Sequence, residues 1–165
     1  MKMSGGVEWA LHCAFALTAA DRPVPAARLA EMHDVSPTYL AKQLQALSRA
    51  GLIHSVQGHS GGYELSRPPS EITVLDVVEA IDGPSPAFVC TDVRARGPLA
   101  ASPAACEIPC AIHAAMINAD GAWRASLRSV TIADLTAQVT LDQGPGVLTG
   151  VRGWLAGPEG AARGV

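Results

Sequence analysis

Apolar side chains recur every three or four positions over the first fifty residues, which is the spacing of helices with one buried face. The pattern predicts three helices, over 4–19, 25–33 and 36–50. The third has the clearest limits, because Ser36 suits the N-cap, Pro37 the first turn and Gly51 the residue after the last turn. Its inward face is a stripe of Leu40, Leu44 and Leu47. Since the turn 33–35 joins it to the second helix, the two form a helix-turn-helix pattern.

Beyond the third helix the pattern shortens to the alternation typical of strands. Residues 52–56 and 63–66 are predicted as two strands, and the glycine-rich stretch 57–62 as the turn between them. A hairpin that directly follows a helix-turn-helix is a wing. The sequence therefore predicts a mainly α fold with a small β wing, in which residues 1–83 form a winged helix-turn-helix.

The second half of the chain alternates loops with helices. A threonine followed three residues later by an aspartate is a capping box, and it predicts helix starts at Thr73 and Thr131. A longer helix is predicted near 110–129, after a long loop rich in proline and alanine. The chain then divides into a second unit of loop and helices over 84–139 and a mostly disordered, glycine-rich tail over 140–165.

Composition narrows the class of protein. The chain of 165 residues suffices for one domain with appendages; its 48% apolar content excludes a disordered chain, and its 4% aromatic content favours helices over a large sheet. No apolar run is long enough to span a membrane and no signal peptide is recognisable, so a cytoplasmic location is expected. There, the four cysteines suit metal binding or redox chemistry better than disulfides.

Charge is unevenly distributed along the chain. The formal net charge is −3, but residues 1–67 carry +1 and residues 71–165 carry −4. That balance does not suit a general nucleic-acid coat, yet it permits a compact DNA-reading face on the third helix and the wing. On that face Lys42 and Arg49 suit phosphates and Gln43 suits adenine. The full set expected to contact DNA, which a merely solvated helix face would also display, is Ser36, Thr38, Tyr39, Lys42, Gln43, Arg49, His59 and Ser60.

The cysteines and two residues of the first helix offer metal-binding chemistry. Cys106 and Cys110 stand at the entrance to a helix, whose positive end favours thiolate, and Cys90 lies in the loop before them. Glu8 and His12 are four residues apart and share a helix face. Thiolates with imidazole and carboxylate suit zinc or an iron–sulfur cluster. From spacing alone, however, a solvated glutamate and a half-buried histidine account for Glu8 and His12 better than metal binding does.

Three stretches carry a family resemblance: VSPTYL at 35–40, GHSGGY at 58–63 and EITVLDVVEAIDG at 71–83. Together they resemble the Rrf family of bacterial winged-helix regulators, over about residues 1–138. The resemblance implies a homodimer on promoter DNA, built on the long helix near 110–129, and an iron–sulfur cluster that tunes DNA binding. Along that helix the dimer seam is expected at Met116, Trp123 and Leu127.

The stretch SGGVEWALHC at 4–13 is more particular. It resembles the RsrR-like redox-sensing branch of the family, where a glutamate and a histidine of one subunit join two cysteines of the other around a [2Fe–2S] cluster. This likeness implies Glu8 and His12 as cluster ligands, with Cys106 and Cys110 as the preferred thiolates and Cys90 in reserve. The step between Cys106 and Cys110 is shorter than the six residues common in the family. The implied function is a redox-sensing repressor.

Two other classes of protein stay open at this point. One is a winged-helix regulator without a cluster, or with zinc, whose cysteines act as a thiol switch. The other is an iron–sulfur electron carrier or an enzyme, although the sequence contains neither a phosphate-binding loop nor a nucleophile elbow. Visible absorption and sulfide content after anaerobic purification distinguish a cluster protein from a clusterless regulator. Binding to duplex DNA distinguishes a regulator from an electron carrier or enzyme.

Overall fold

A computed structural model describes residues 3–58 and 60–157 of the chain. This part is mostly helical, with one two-stranded antiparallel sheet, so the predicted fold class is confirmed. The elements in chain order are α1 (Gly5–Thr18), α2 (Ala26–Met32), α3 (Pro37–Arg49), β1 (Ile53–Val56), β2 (Gly62–Leu65), α4 (Val74–Asp82), α5 (Pro103–Cys106), α6 (Ala111–Arg128), α7 (Ile132–Gln143) and α8 (Gly146–Ala156). No helix in the described ranges is long and apolar enough to cross a membrane.

The main core lies where α3 packs against α1, α2 and α4. The predicted leucine stripe, Leu40, Leu44 and Leu47, is fully buried there together with Leu29 of α2. Gly51 adopts a φ of +70°, which is the left-handed conformation that ends a helix and favours glycine. The helix-turn-helix therefore follows from local signals that the packing of α3 reinforces.

The hairpin is tied to the helix-turn-helix by its own backbone. Ile53 pairs with Leu65 and Val56 with Gly62, as expected of a wing. In addition, Tyr63 exchanges two backbone hydrogen bonds with Val24, at 2.8 and 2.9 Å, just before α2 begins. A methyl group at Gly62 would lie 2.3 Å from the carbonyl carbon of Val24, so only glycine permits this approach. The wing is thus fixed against the segment that leads into α2.

Both predicted capping boxes are present and adjacent. Thr73 and Asp76 cap α4, and Thr131 and Asp134 cap α7, each with reciprocal side-chain and backbone hydrogen bonds. The amide of Val74 donates to the carbonyl of Val130 at 2.8 Å, and the amide of Ile132 donates to the carbonyl of Ile72, also at 2.8 Å. These two bonds connect the starts of α4 and α7. This bridge connects the winged helix to the helices that follow it.

The long helix α6 departs from its predicted role in one respect. Trp123 and Leu127, expected at a dimer seam, pack instead against α1 and α4 of the same chain, over Val7, Val74 and Val78. The cause is that the apolar stripe of α6 runs its whole length, and the body of this chain covers only its C-terminal half. Ile112 and Ile117, in the other half, are 71% and 53% exposed, and Met116 is 41% exposed.

The expectation of a disordered tail over 140–165 is wrong for the described part of that stretch. Residues up to Gln143 continue α7, and Gly146–Ala156 form α8. The high glycine content of this stretch made its apolar repeat difficult to recognise in the sequence. That repeat packs α8 against α2 and α7 and buries Leu155. Docking is reinforced by Arg28 of α2, whose guanidinium stacks 3.7 Å from the Trp154 ring centre and donates to the Trp154 carbonyl. Residues 158–165 lie outside the described residues.

Candidate DNA-binding surface and cysteine loop

The outer face of α3 carries polar and basic side chains. Thr38, Lys42 and Arg49 are exposed along one side of the helix, with Ser36 exposed just before its first turn, as predicted. Tyr39 is exposed at the edge of this face and its hydroxyl approaches Gly5 of α1. The arrangement is that of a helix that presents cations and hydrogen-bonding groups to a duplex groove.

Gln43 does not belong to this face, contrary to the prediction. It is half-buried, and a methyl group at Gly6 of α1 would lie 2.6 Å from its Oε1 atom. Gln43 is therefore a packing residue between α3 and α1, because the helix face it occupies turns toward α1. The exposed amide is that of Gln45, which stands three residues after Lys42 and seven after Thr38. Helical spacing was the signal that could have identified it.

The wing adds a second polar surface. Ser60 is exposed beside the turn glycines, whereas His59 lies outside the described residues. On the strands, His54 Nε2 and Glu64 Oε1 face each other at 2.8 Å. The wing therefore offers small and polar groups, and the positive charge of this region comes from α3.

Glu8 and His12 are both exposed on α1, on the same face, as predicted. The His12 ring lies 5.7 Å from the half-buried ring of His33, which in turn packs edge-on against Trp9. Burial, and then the proximity of His12, lower the pKa of His33. The Nε2 atom of His33 is buried without a hydrogen-bond partner in the part of the chain that the structure describes. Glu8 and His12 thus form an outward-facing donor pair beside a neutral imidazole.

The loop between α4 and α6 holds three half-buried cysteines. The Cys90 sulfur accepts a hydrogen bond from the Asp92 amide at 3.4 Å, and the Cys110 sulfur, at the N-cap of α6, accepts one from the His113 amide at 3.4 Å. Arg94 donates to the carbonyl of Cys106 at 3.1 Å. Burial opposes the charge of Arg94, but its hydrogen bond to Asp92 and the nearby cysteines raise the pKa of the guanidinium overall.

The fourth cysteine, Cys13, is separate from this loop. It is fully buried in α1, and burial raises the pKa of its thiol to about 12. It is a small core side chain.

One chain does not bring the two donor pairs together. Among the residues that the structure describes, no three histidine, cysteine, aspartate or glutamate side chains converge to hold a metal ion. Glu8 and His12 are exposed on α1, whereas Cys106 and Cys110 are half-buried in the loop before α6. Oxygen, nitrogen and sulfur donors of these kinds fit iron. Each pair is half of the predicted ligand set and is here called a half-site.

Arg124 links α6 to the winged helix, and sequence reasoning did not identify it. Its side chain, 18% exposed, contacts Asp120 at 2.7 Å, pairs with Glu79 of α4 and donates to the carbonyls of Pro84 and Ser85. The hydrogen bond from Arg124, and then the Ala87 amide, lower the pKa of Asp120. One guanidinium therefore joins α4, α6 and the start of the cysteine loop.

Comparisons with known proteins identify the family of this chain. A model named Rrf2, described as an iron-dependent transcriptional regulator, matches residues 3–138. The protein aau3 of Rhizobium meliloti is 37% identical over 108 residues, which are 65% of this chain and 66% of that protein. The transcriptional regulator IscR of Aliivibrio salmonicida is 43% identical over 67 residues, 41% of this chain and 40% of its own. The chain thus spans two thirds or less of these curated relatives.

Solved structures agree on the fold. CymR, the global cysteine regulator of B. subtilis, superposes with a TM-score of 0.63 at 28% identity, over 84% of this chain and 98% of that one. T. potens IscR gives a TM-score of 0.65 over 87% and 91% of the two chains, at 23% identity, which shows the fold alone. These relatives are regulators and not enzymes. With its winged helix-turn-helix and a family match over most of its length, the chain belongs to the Rrf2 family of transcriptional regulators.

Proposed function

We propose that this regulator is a cytoplasmic redox sensor that represses transcription as a homodimer, and that a shared [2Fe–2S] cluster sets its affinity for promoter DNA. The observation that carries the proposal is the pair of half-sites. Glu8 and His12 face outward on α1, Cys106 and Cys110 flank the entrance to α6, and a single chain leaves them apart. Two chains related by a twofold axis complete each half-site with the other.

The apolar half of α6 supports dimerisation. Ile112, Met116 and Ile117 leave a continuous apolar surface uncovered in this chain, on a helix otherwise rich in alanine. Small side chains let two helices approach closely, and the cysteine loop joins α6 at this same end. A dimer through this half of α6 therefore brings each cysteine loop toward the partner chain.

The ligand set fits the cluster in its chemistry. Cys106 and Cys110 of one chain, with Glu8 and His12 of the partner chain, would hold it, and Cys90 stands in reserve. When bound, the cluster supplies a one-electron redox centre, and histidine ligation in place of thiolate raises the potential of such centres. Glu8 and His12 contribute less negative charge than two thiolates would.

Packing contacts inside the chain connect the proposed cluster site on α1 to the DNA-binding helix α3. Glu8 lies two residues beyond Gly6, and Gly6 seats the side chain of Gln43 on the recognition helix α3. A shift of α1 therefore changes the setting of α3 directly. Because a dimer reads two half-sites at a fixed spacing, small changes in the two α3 helices alter affinity.

The DNA contacts are assigned to the outer face of α3 and to the wing. Lys42 and Arg49 contact phosphates, and Ser36, Thr38 and Tyr39 lie near the helix start that enters the groove. Gln45 takes the base-reading role first predicted for Gln43. Replacing Gln45 with alanine is expected to relax preference at particular bases by about 1–3 kcal/mol, whereas Gln43→Ala changes overall affinity through packing. Equal loss of base preference in both variants would contradict this assignment.

The cluster is tested with His12→Ala and Glu8→Cys, using Glu71→Cys on an exposed turn as the matched control. After anaerobic purification, the wild type should contain iron and sulfide and bind promoter DNA differently when oxidised, reduced and cluster-free. His12→Ala should make the cluster labile, and Glu8→Cys should keep it at a lower reduction potential. Spectra and potentials that stay unchanged in both variants would show that Glu8 and His12 are not ligands. A colourless wild type with duplex binding would favour the thiol switch.

A further inference from the structure

The side chain of Arg94 lies where the three cysteine-bearing stretches of the loop meet. Its Nε atom contacts Asp92 Oδ1 at 3.2 Å, and the amide of Asp92 donates to the sulfur of Cys90. Its Nη2 atom donates to the carbonyl of Cys106 at 3.1 Å and to that of Ile108, two residues before Cys110. The carbonyl of Arg94 itself accepts from the Ala101 amide at 2.8 Å.

These polar contacts have no apolar core to assist them. No residue from 84 to 110 is fully buried, and apart from the half-buried Phe88 the large apolar side chains of the loop are exposed, up to 94% for Leu99. The Arg94 side chain, in contrast, is only 29% exposed. A loop without a buried core takes its shape from its hydrogen bonds. Within the loop, the side-chain hydrogen bonds that reach furthest along the sequence, to the carbonyls of Cys106 and Ile108, both come from Arg94.

We propose that Arg94 is a positioning residue that fixes Cys106 and Cys110 in the relative placement needed to hold the cluster, and that its charge offsets that of the sulfur ligands. The inference rests on the proposed function. The planar guanidinium lets Nε donate to Asp92 while Nη2 donates to the carbonyls of Cys106 and Ile108. A lysine keeps the charge but donates from a single point. Arg94→Lys keeps the charge but not the hydrogen bonds, whereas Arg94→Ala removes both, so the two effects can be separated.

The effect of Arg94 on the conformation of the cysteine loop is tested on cluster-free protein, so that the outcome does not depend on how much cluster the protein carries. Arg94→Ala, Arg94→Lys and the control Arg96→Ala are compared by hydrogen–deuterium exchange over residues 97–110. Arg96 belongs to the same loop, but within the described ranges its side chain donates only to the Thr91 carbonyl. Amide exchange should rise at least about fivefold in both Arg94 variants and stay at the wild-type rate in Arg96→Ala. Equal exchange in all four proteins would overturn the positioning role.

The charge is tested on loaded protein by redox titration. Arg94→Ala should shift the reduction equilibrium toward the oxidised form by up to about tenfold, which is about 59 mV for one electron, and Arg94→Lys should restore most of it. Both variants should lose iron faster in air than Arg96→Ala. If loaded wild type and Arg94→Ala share one potential and one rate of iron loss, the charge role is refuted. If wild type takes no cluster, the proposed function fails, and the exchange experiment still decides the role of Arg94.

Discussion

Substituting Gly62 with alanine tests whether the wing is fixed to the helix-turn-helix as the structure indicates. The added methyl group would lie 2.3 Å from the carbonyl carbon of Val24, 2.4 Å from its oxygen and 2.7 Å from the nitrogen of Pro25. All three are backbone atoms, so no side chain can rotate away to make room. The hairpin must move, and the two hydrogen bonds between Val24 and Tyr63 must lengthen or break.

The expected loss of stability follows from these contacts. Two backbone hydrogen bonds contribute about 0.5–1.5 kcal/mol each, and overpacking costs about 1–3 kcal/mol, so the free energy of unfolding should fall by about 2–6 kcal/mol. That is a large part of the roughly 5–15 kcal/mol typical of a domain. Affinity for promoter DNA should fall as well, because the wing loses its fixed position relative to α2.

The assay is urea unfolding followed by circular dichroism, with DNA affinity measured by fluorescence anisotropy at constant salt. Gly150→Ala is the matched control: it is the same chemical change in α8, where the new methyl group has no neighbour within 4 Å apart from its own helix backbone and adjacent residues. In that helix interior alanine should stabilise the protein by about 0.5–1 kcal/mol. A Gly62→Ala protein as stable as wild type, with unchanged DNA affinity, would refute the close approach of wing and helix-turn-helix.

Three further outcomes are expected. Lys42→Ala should weaken binding to all duplexes alike and reduce the slope of log affinity against log salt by about one, measured by anisotropy over a salt series; an unchanged slope would remove Lys42 from the phosphate contacts. Arg124→Ala should destabilise the protein in thermal melts more than Arg128→Ala, since it leaves Glu79 and Asp120 without their shared partner; equal melts would mean that the link between α4 and α6 is dispensable. Cys13 should resist alkylation in native protein at pH 8, because its pKa is about 12, while the loop cysteines react; mass spectrometry that finds Cys13 labelled at their rate would contradict its burial.

Local signals predicted most of the fold correctly, and their success has a common cause. The leucine stripe of α3, Gly51 and the capping boxes at Thr73 and Thr131 each act within a few residues, so the sequence alone displays them. The sequence did not predict α8, because its glycines lower the intrinsic helix propensity of this segment. Packing against α2 and α7 compensates for that low propensity.

The errors at the functional surfaces arose from tertiary packing. Gln43 and Gln45 are equally polar, and which of them faces outward depends on where α1 lies against α3. Trp123 and Leu127 belong to the same apolar stripe as Met116, and which half of the stripe is covered depends on the position of α4. The candidate ligands Glu8, His12, Cys90, Cys106 and Cys110 came from a family resemblance, and their assignment remains a prediction.

The docking of α8 has a consequence for the order in which the molecule is built. Arg22 donates to the carbonyl of Ala156 across 134 residues of sequence, Arg28 to that of Trp154 across 126, and Arg152 to that of Ala19 across 133. A ribosome that has completed β2 and α4 has therefore made the whole winged helix, but not the helix that covers the flank of α2. Contacts between such distant segments form late and slow the final step of folding. The DNA-binding half thus acquires its contacts with α8 only once that helix has been synthesised, so a premature stop codon before α8 leaves the flank of α2 uncovered.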